Sequence, residues 1–300
     1  MDPSDFIFER AAIIGTGLIG GSMGMAMRRR KLAREVVGIG RRTVSVNKAL
    51  DAGACDTVTL DIAEGLEGAD FVVLATPIRA FEHVLPDVVR SMEPGALLTD
   101  VASSKRSVIK TIRKALNGRD DVHYLSTHPM AGSEKTGPCA AREDLFEDCV
   151  CIFTPLPETG DECLAQMRSL WDALGAKIRE MEPATHDRLV AHISHVPHLV
   201  AAALVDVVDE DELWYAGGGL IDTTRVASSD PALWCDIYES NSEAVCDALD
   251  EHIALVERMK ELVRKGDFDA LNELLATAKE KRDSLLSRRA DFNRKRKQAE

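Results

Sequence analysis

Three glycines near the start of the chain have the spacing of a turn that binds dinucleotides. The segment Arg10–Ser22 reads RAAIIGTGLIGGS, and its Gly15, Gly17 and Gly20 form a G-x-G-x-x-G pattern between an apolar run and a helix-like stretch. Glycines at these points allow a tight turn, a close approach of the backbone to a pyrophosphate, and close packing of the helix on the sheet. The helix N-terminus adds unpaired N–H groups for the phosphates. The pattern predicts a dinucleotide cofactor.

The end of the second predicted strand, Val36–Ile39, bears on which dinucleotide binds. NAD-binding versions of this unit carry an acidic residue there for the ribose 2′-hydroxyl. This chain instead has Arg41 and Arg42. Guanidinium groups suit a 2′-phosphate because they match its geometry bidentately. We therefore favour NADP over NAD, and a solvated surface pair of arginines is the alternative.

A histidine lies where chemistry is expected in a sheet of this kind. The predicted strand Val122–Leu125 leads into STHPMAGSEKTGP at Ser126–Pro138, which places His128 near the carboxyl end of the strand. Ligands of parallel sheets bind outside the carboxyl ends of the strands. His128 is therefore a candidate functional residue.

Three further histidines, His192, His195 and His198, recur at three-residue spacing. The spacing predicts one broad helix face. Metal sites usually draw additional ligands from other segments. We therefore favour hydrogen-bonded histidines that line a cleft, or a contact with an anionic substrate, over a metal site.

The segment Ala216–Trp234 reads AGGGLIDTTRVASSDPALW. Its three consecutive glycines, Gly217–Gly219, are costly within a helix and predict a turn or a close backbone approach. Arg225 either forms a structural ion pair with Asp222 or binds a carboxylate through its planar fork. Spacing leaves both interpretations open.

The order of elements predicts the fold class. Apolar strand-like runs alternate with helical stretches up to Met181, which indicates an α/β domain with a Rossmann-type, doubly wound, mainly parallel sheet. After Pro183 the strand signals stop and helical periodicity continues. We predict a dinucleotide-binding domain at residues 1–182 and an all-helical substrate and dimerisation domain at residues 183–300. The later strand runs are Phe71–Ala75, Ala96–Thr99, Val150–Phe153 and Lys177–Met181.

The helical region contains one unusually apolar stretch, Leu189–Val208. A helix that is apolar nearly all round should be buried on most sides, and Pro197 predicts a kink within it. A small helical domain has little interior in which to hide such a helix, so we expect a homodimer. The charged stretch Arg288–Glu300 is expected to fray.

The composition is that of an ordinary soluble protein. Of 300 residues, 45% are hydrophobic and 29% charged, and the net charge of −13 argues against nucleic-acid binding. The seven cysteines contain no C-x-x-C pair and are interpreted as reduced thiols of a cytoplasmic protein. We find no secretory signal and no apolar run long enough to cross a bilayer, so no membrane partner is expected.

Taken together, the motifs resemble the prephenate/arogenate dehydrogenase family of tyrosine biosynthesis. The matching segments are GTGLIGGS, ATPI, DVASSK, STHPMAGSEKTGP, HISHVPH and GGGLIDTTRVASSDPALW, in the order of the family and over roughly residues 10–260. The resemblance implies NAD(P)-dependent oxidative decarboxylation of a small cyclohexadienyl acid. Prephenate would give 4-hydroxyphenylpyruvate, or arogenate would give tyrosine, and the sequence does not decide between them.

The resemblance also implies roles for individual residues. His128 would bond the ring hydroxyl and promote its deprotonation, which suits an imidazole near neutrality, and Ser103 would lie beside that hydroxyl. The expected substrate-binding residues are Arg225, His198, Ser133, Asp222 and Trp234. The expected cofactor-binding residues are Gly15, Thr16, Gly17, Leu18, Ile19, Gly20, Arg41, Arg42, Ala75, Thr76 and Pro77.

Two other functions fit the same two-domain plan. A β-hydroxyacid dehydrogenase usually relies on a lysine in its helical domain, whereas the apolar stretch here offers histidines and no lysine. A nucleotide-sensing dimer without catalysis predicts the loss of the acid–base residue, but His128, Ser103 and Arg225 are all present. The dehydrogenase of the resembling family is therefore favoured.

Overall fold

One sheet organises the α/β part of the molecule. The computed structural model describes residues 6–133 and 135–297, with the backbone alone for 288–297. Within these residues eight strands pair in the order β3-β2-β1-β4-β5-β6-β7-β8, and all neighbours are parallel except β6 and β7. The strands are β1 Phe8–Ile14, β2 Ala33–Ile39, β3 Thr57–Thr59, β4 Phe71–Leu74, β5 Leu97–Asp100, β6 His123–Pro129, β7 Val150–Thr154 and β8 Lys177–Glu180.

Helices cover both faces of this sheet. Ile13 on β1 belongs to a buried cluster with Met27 and Trp171, whereas its neighbour Ile14 belongs to a separate cluster with Leu85. Alternate residues of each central strand therefore face opposite layers, and strands of this kind are apolar without interruption. This arrangement confirms the predicted α/β class. The helices of this region are α1 Leu18–Arg29, α2 Thr43–Asp51, α3 Ile62–Leu66, α4 Phe81–Ser91, α5 Arg106–Ala115 and α6 Asp161–Ala173.

The sheet reverses its order between β1 and β4. The chain runs from β1 outward to β3, then returns to β4 on the other side of β1. Ligands of open α/β sheets bind at such a switch point, outside the carboxyl ends of the strands. The turns after β1, β2 and β4 thus lie along one edge, with the loop after β5 and the end of β6 beside them.

Consecutive helices follow β8, and the first begins at Pro183. By its packing the chain divides into two compact units that meet at Val245 and Cys246. The second unit consists of helices, and α12 continues past Arg288, where the sequence predicted fraying; residues 298–300 lie outside the described residues. The helices are α7 Pro183–Val190, α8 Val196–Asp206, α9 Gly218–Thr224, α10 Pro231–Ser240, α11 Ser242–Lys265 and α12 Phe268–Lys297.

The apolar stretch predicted as one kinked helix is interrupted by a π turn. Residues Ala191–His195 form this turn between α7 and α8, and the N–H of Val196 bonds the carbonyl of Ala191. Pro197 follows in the first turn of α8. Because proline has no N–H and its ring crowds the carbonyl four residues earlier, widening the preceding turn relieves the helix. The break therefore lies before the proline, not at it.

The predicted burial of this stretch on most sides was wrong, and so was the statement that no run could cross a bilayer. Pro183–Asp206 is 24 residues long with mean hydropathy 1.4, which suffices by length and composition, and 33% of its apolar window is buried. However, its His186 and Asp187 are buried and bonded to the sheet domain. One face of this segment therefore packs on the α/β region, as in a core helix, and its other face is not covered by the described chain.

A buried ion pair ties the middle of the sheet to the loop that follows β5. The ammonium group of Lys105 donates to Asp100 Oδ1 and to the carbonyl of Thr127, each at 2.7 Å. The hydroxyl of Tyr124 donates to the second carboxylate oxygen at 2.8 Å. Both charged side chains are fully buried, and burial lowers the pKa of Lys105 against the opposing effect of Asp100. Removing either partner of such a buried pair leaves an uncompensated charge and destabilises the folded protein.

Replacing the lysine tests this pair. We expect Lys105→Met to lower the free energy of unfolding by about 3–5 kcal/mol, because it leaves the buried carboxylate of Asp100 without its cation. Urea unfolding followed by circular dichroism measures the change. The control is Lys110→Met on the exposed side of α5, for which about 0.5 kcal/mol or less is expected. Equal unfolding midpoints for the two variants would contradict the role of the pair.

Candidate active site

The glycine turn after β1 is shaped by packing at two positions and open at the third. Gly15 has φ of +99°, and a Cβ there would lie 2.7 Å from the carbonyl carbon of Ala75. A Cβ on Gly20 would lie 2.1 Å from the Gly15 carbonyl oxygen. In contrast, a Cβ on Gly17 would meet no atom of the described residues within 4 Å. Gly17 is the N-cap of α1, so open space lies over the start of that helix.

These features fit a dinucleotide. Open space beside Gly17 lets a pyrophosphate approach the N–H groups at the start of α1, whose first turn contains Leu18 and Ile19 and no acidic residue. The hydroxyl of Thr76 is buried without a hydrogen-bond partner among the described residues, as is typical where a ligand completes a site. Thr16, between Gly15 and Gly17 in the turn, is buried.

The remaining predicted cofactor residues lie along the same edge of the sheet. Arg41 and Arg42 follow β2 and are exposed, and Arg42 is the N-cap of α2. Ala75, Thr76 and Pro77 follow β4. Because β1, β2 and β4 are parallel, all these turns open towards one crevice.

His128 is the buried polar residue nearest to this edge on β6. The strand was predicted to end at Leu125, but it continues to Pro129, and His128 is its last residue but one. Its Nδ1 lies 2.8 Å from Nε2 of His186, whose Nδ1 lies 2.8 Å from Asp187 Oδ1. Burial first, and then the neighbouring His186 and Lys105, hold the pKa of His128 well below its usual value. Burial also lowers the pKa of His186. Both rings are therefore neutral at neutral pH.

Asp187 connects α7 to the loop that carries the DVASSK motif. Its Oδ1 accepts the N–H of Lys105 at 2.7 Å, and its Oδ2 accepts the N–H of Arg106 at 2.9 Å. These N–H groups lie at the start of α5, which has no cap from its own N-terminal side chain. Asn241 donates to the carbonyl oxygen of Asp187 at 2.9 Å and lies 3.2 Å from Nδ1 of His195.

A second polar group surrounds His198. Its ring stacks on Trp234 with 3.7 Å between centroids and 15° between planes. Its Nδ1 lies 2.6 Å from the hydroxyl of Tyr238, whereas its Nε2 is buried with no partner among the described residues. A buried ring nitrogen without a partner is rare and indicates a ligand or solvent position. His195 faces the edge of Trp234 at 6.1 Å, and burial lowers its pKa to about 4.

The three histidines predicted on one face separate in the structure. His195 and His198 are buried, but His192 is exposed. The π turn widens the helix at these positions, so regular spacing no longer describes which side each residue faces. Within the described residues no group of three or more side chains is arranged to hold a metal ion.

The other predicted site residues lie on loops and short helices. Ser103 is half-buried in the loop between β5 and α5, and Ser133 is exposed after β6, where its hydroxyl accepts the N–H of Lys135. The next residue, Glu134, lies outside the described residues. Among the described residues neither serine is hydrogen-bonded to His128.

The glycine-rich segment begins a helix. Gly217 is the N-cap of α9, and a Cβ on any of Gly217–Gly219 would meet nothing within 4 Å in the described chain. The predicted turn at Gly217–Gly219 was therefore wrong, because Gly218 and Gly219 form the first residues of a helix. Asp222 is exposed on α9, and Arg225 begins the 3-10 turn Arg225–Ser228, which packs on α8.

The sequence analysis missed four residues that form hydrogen bonds around His128 and His195. Lys105, His186, Asp187 and Asn241 received no role, although all four are buried. The available signal was the pair His186 and Asp187 at the start of an apolar helix, because polar residues on a buried face need partners.

Comparisons with known proteins agree with this architecture. The family model for the prephenate dehydrogenase nucleotide-binding domain matches residues 23–180, and that for the prephenate dehydrogenase dimerization domain matches residues 182–277. Prephenate dehydrogenase of Bacillus subtilis is 35% identical over 280 residues, covering 91% of this chain and 75% of that protein.

Two solved structures are similar over nearly their whole length. Aquifex aeolicus prephenate dehydrogenase, in complex with hydroxyphenyl propionate and NAD+, has a TM-score of 0.86 at 31% identity and covers 92% of this chain and 98% of that one. Synechocystis arogenate dehydrogenase has a TM-score of 0.78 at 30% identity, and the match covers 92% of this chain and 99% of that one. With both domain models matched in order across most of its length, the chain belongs to the prephenate dehydrogenase family.

Proposed function

We propose that this protein catalyses the NAD(P)-dependent oxidative decarboxylation of prephenate or arogenate. The observation that carries the proposal is the buried His128 at the cofactor edge of the sheet, whose Nδ1 is held by His186. The curated and solved relatives include a prephenate dehydrogenase and an arogenate dehydrogenase, so family membership supports both substrates.

The site residues support a simple sequence of events. Nδ1 of His128 is engaged by His186, which leaves Nε2 to accept the proton of the substrate ring hydroxyl. As that proton leaves, the hydroxyl carbon releases hydride, the ring carboxylate departs as carbon dioxide, and the ring becomes aromatic with the proton returned to its oxygen. The nicotinamide, when bound, accepts the hydride. Ser103 is assigned to the same hydroxyl from its loop after β5.

The remaining assignments concern substrate binding. The unpartnered Nε2 of His198 and the stacked Trp234 form a polar and aromatic wall suited to a ring acid. Arg225, which lies on a turn packed against α8, is proposed to bind a substrate carboxylate, because a guanidinium matches it bidentately. Ser133 and Asp222 are proposed as further substrate contacts.

Replacing His128 tests its proposed role as the proton acceptor. His128→Asn should lower kcat by about 10²–10⁴-fold, because it removes the proton acceptor, while thermal unfolding changes little. Formation of reduced nicotinamide is measured for prephenate and arogenate, each with NAD and NADP.

The four combinations also test the function itself. The matched control is His192→Asn, an exposed histidine of the same helical stretch, which should keep normal turnover. No turnover of either substrate by the unmodified protein would refute the activity, and normal turnover by His128→Asn would refute the role of the histidine.

Replacing Arg41 and Arg42 tests the choice of cofactor. We propose that Arg41 and Arg42 favour NADP, because both are exposed beyond β2 where a 2′-phosphate would lie. Replacing both by alanine should raise KM for NADP by about 10–100-fold and leave KM for NAD nearly unchanged. Arg90→Ala, on the exposed side of α4, is the control. Equal effects on both cofactors would show that the arginines do not read the phosphate.

A homodimer is the third proposal. Apolar side chains of the helical region are uncovered, including Ile193, Val207, Trp214 and Tyr215, the last two being 88% and 90% exposed. Patches of this kind mark interaction sites, and the second matched family model is that of a dimerization domain. A second copy of this chain is the expected occupant, because isologous dimers bury the same patch twice.

Light scattering tests the dimer. At micromolar concentration the mass should be twice the 32.8 kDa of one chain, and Ile193→Glu combined with Val207→Glu should restore that single-chain mass. Val44→Glu, at an exposed valine of α2, should leave the dimer intact. A single-chain mass for the unmodified protein would refute the proposal.

Two further assignments accompany these. We propose a functional boundary at residues 182 and 183, which is supported by the change from one family model to the other between residues 180 and 182. A cytoplasmic location is supported by the seven cysteines, all of which are free thiols.

A further inference from the structure

We infer that Asp187 and His186 are positioning residues that fix the proton of His128 on Nδ1 and so keep Nε2 available as the acceptor. The inference rests on the proposed function for its catalytic meaning, but the direction of the hydrogen bonds follows from the geometry and from the number of protons on each group. Three side chains form the relay: Asp187, His186 and His128, joined by two bonds of 2.8 Å.

The direction of the relay is set at Asp187. Its two oxygens accept the backbone N–H groups of Lys105 and Arg106, and a carboxylate has no proton to donate. Therefore Nδ1 of His186 must be the donor to Oδ1 of Asp187. A neutral imidazole carries one proton, so Nε2 of His186 is an acceptor. The partner at 2.8 Å, Nδ1 of His128, must then carry the proton.

The carboxylate is fixed in place by groups that do not titrate. The two N–H donors belong to the backbone at the start of α5, where the helix dipole also favours negative charge. Asn241 holds the backbone of the same residue from α10–α11. The charged and titratable groups nearest to the relay are Lys105, which is paired with Asp100, and His195, which is bonded to Asn241. Because each of these groups already has a partner, reversing the orientation of the His186 ring would require a hydrogen bond to break.

The relay also stabilises His128 after its ring has taken up a proton. When Nε2 takes a proton, the ring becomes a cation, and its Nδ1–H still donates to His186. The fixed carboxylate beyond His186 stabilises this charge without reorganisation, as an oriented partner does for a catalytic histidine. A role of this kind differs from simple packing because it depends on which atom carries the proton.

The tautomer is measured directly on the unmodified protein. ¹⁵N-histidine labelling and long-range proton–nitrogen spectra distinguish a protonated ring nitrogen from a bare one, and the His128→Asn variant assigns the signal among the eight histidines. We expect Nδ1 protonated and Nε2 bare in His128, with and without NADP. A bare Nδ1 with a proton on Nε2 would overturn the inference, and the tautomer itself is read from the unmodified protein.

Asp187→Asn then tests the catalytic consequence. An amide that turns its NH2 group towards Nδ1 of His186 gives up the bond from the N–H of Lys105, but it then donates to His186, reverses the relay and moves the proton of His128 to Nε2. We expect kcat to fall by about 10²–10⁴-fold, with KM for substrate and cofactor within about threefold. The control is Asp206→Asn on the exposed side of α8, which should keep kcat and the tautomer.

His186 provides the conservative comparison. His186→Gln keeps an acceptor for Nδ1–H of His128 and should retain more turnover than His186→Leu, which removes it. Lower stability with unchanged kcat and unchanged tautomer in Asp187→Asn would show a structural role only and would overturn the inference. Protonated Nδ1 in an unmodified protein that turns over neither substrate would refute the proposed function and still support the relay.

Discussion

The side chain of Asp187 joins the helical layer to the edge of the sheet on which catalysis is proposed. It belongs to α7, yet it accepts the two N–H groups at the start of α5. Helix N-termini leave such donors unpaired, and here the cap comes from a residue 82 positions away. The same carboxylate orients His186. One group therefore satisfies the end of a helix, docks the helical layer and sets the direction of the histidine relay.

Lys105 completes this arrangement from the other side. Its backbone N–H binds Asp187, while its ammonium group binds Asp100 and the carbonyl of Thr127, the residue before His128. A buried ammonium is costly unless it is paired and hydrogen-bonded, and this one has both forms of compensation. Lys105, in the loop after β5, therefore contacts both the strand that carries His128 and the carboxylate that is bonded to His186.

Local patterns in the sequence were sufficient where the physical requirement is local. The three glycines lie within six positions of one another, directly after a strand that is buried on both faces, so spacing and apolarity predict the cofactor edge. His128 was found because it follows an apolar strand. In contrast, His186 meets His128 across 58 positions, and nothing near either residue specifies that contact. The antiparallel pairing of β7 was missed for the same reason, because hydrophobicity does not encode strand direction.

The π turn shows how one residue of backbone changes a site. Asn241 binds the backbone carbonyl of Asp187 before this turn and Nδ1 of His195 at its end through one nitrogen. The widened turn at Ala191–His195 lies between these two contacts, and His192 within it is exposed. Pro197, by disfavouring a regular turn just before it, therefore acts on the site through the backbone and not through its own side chain.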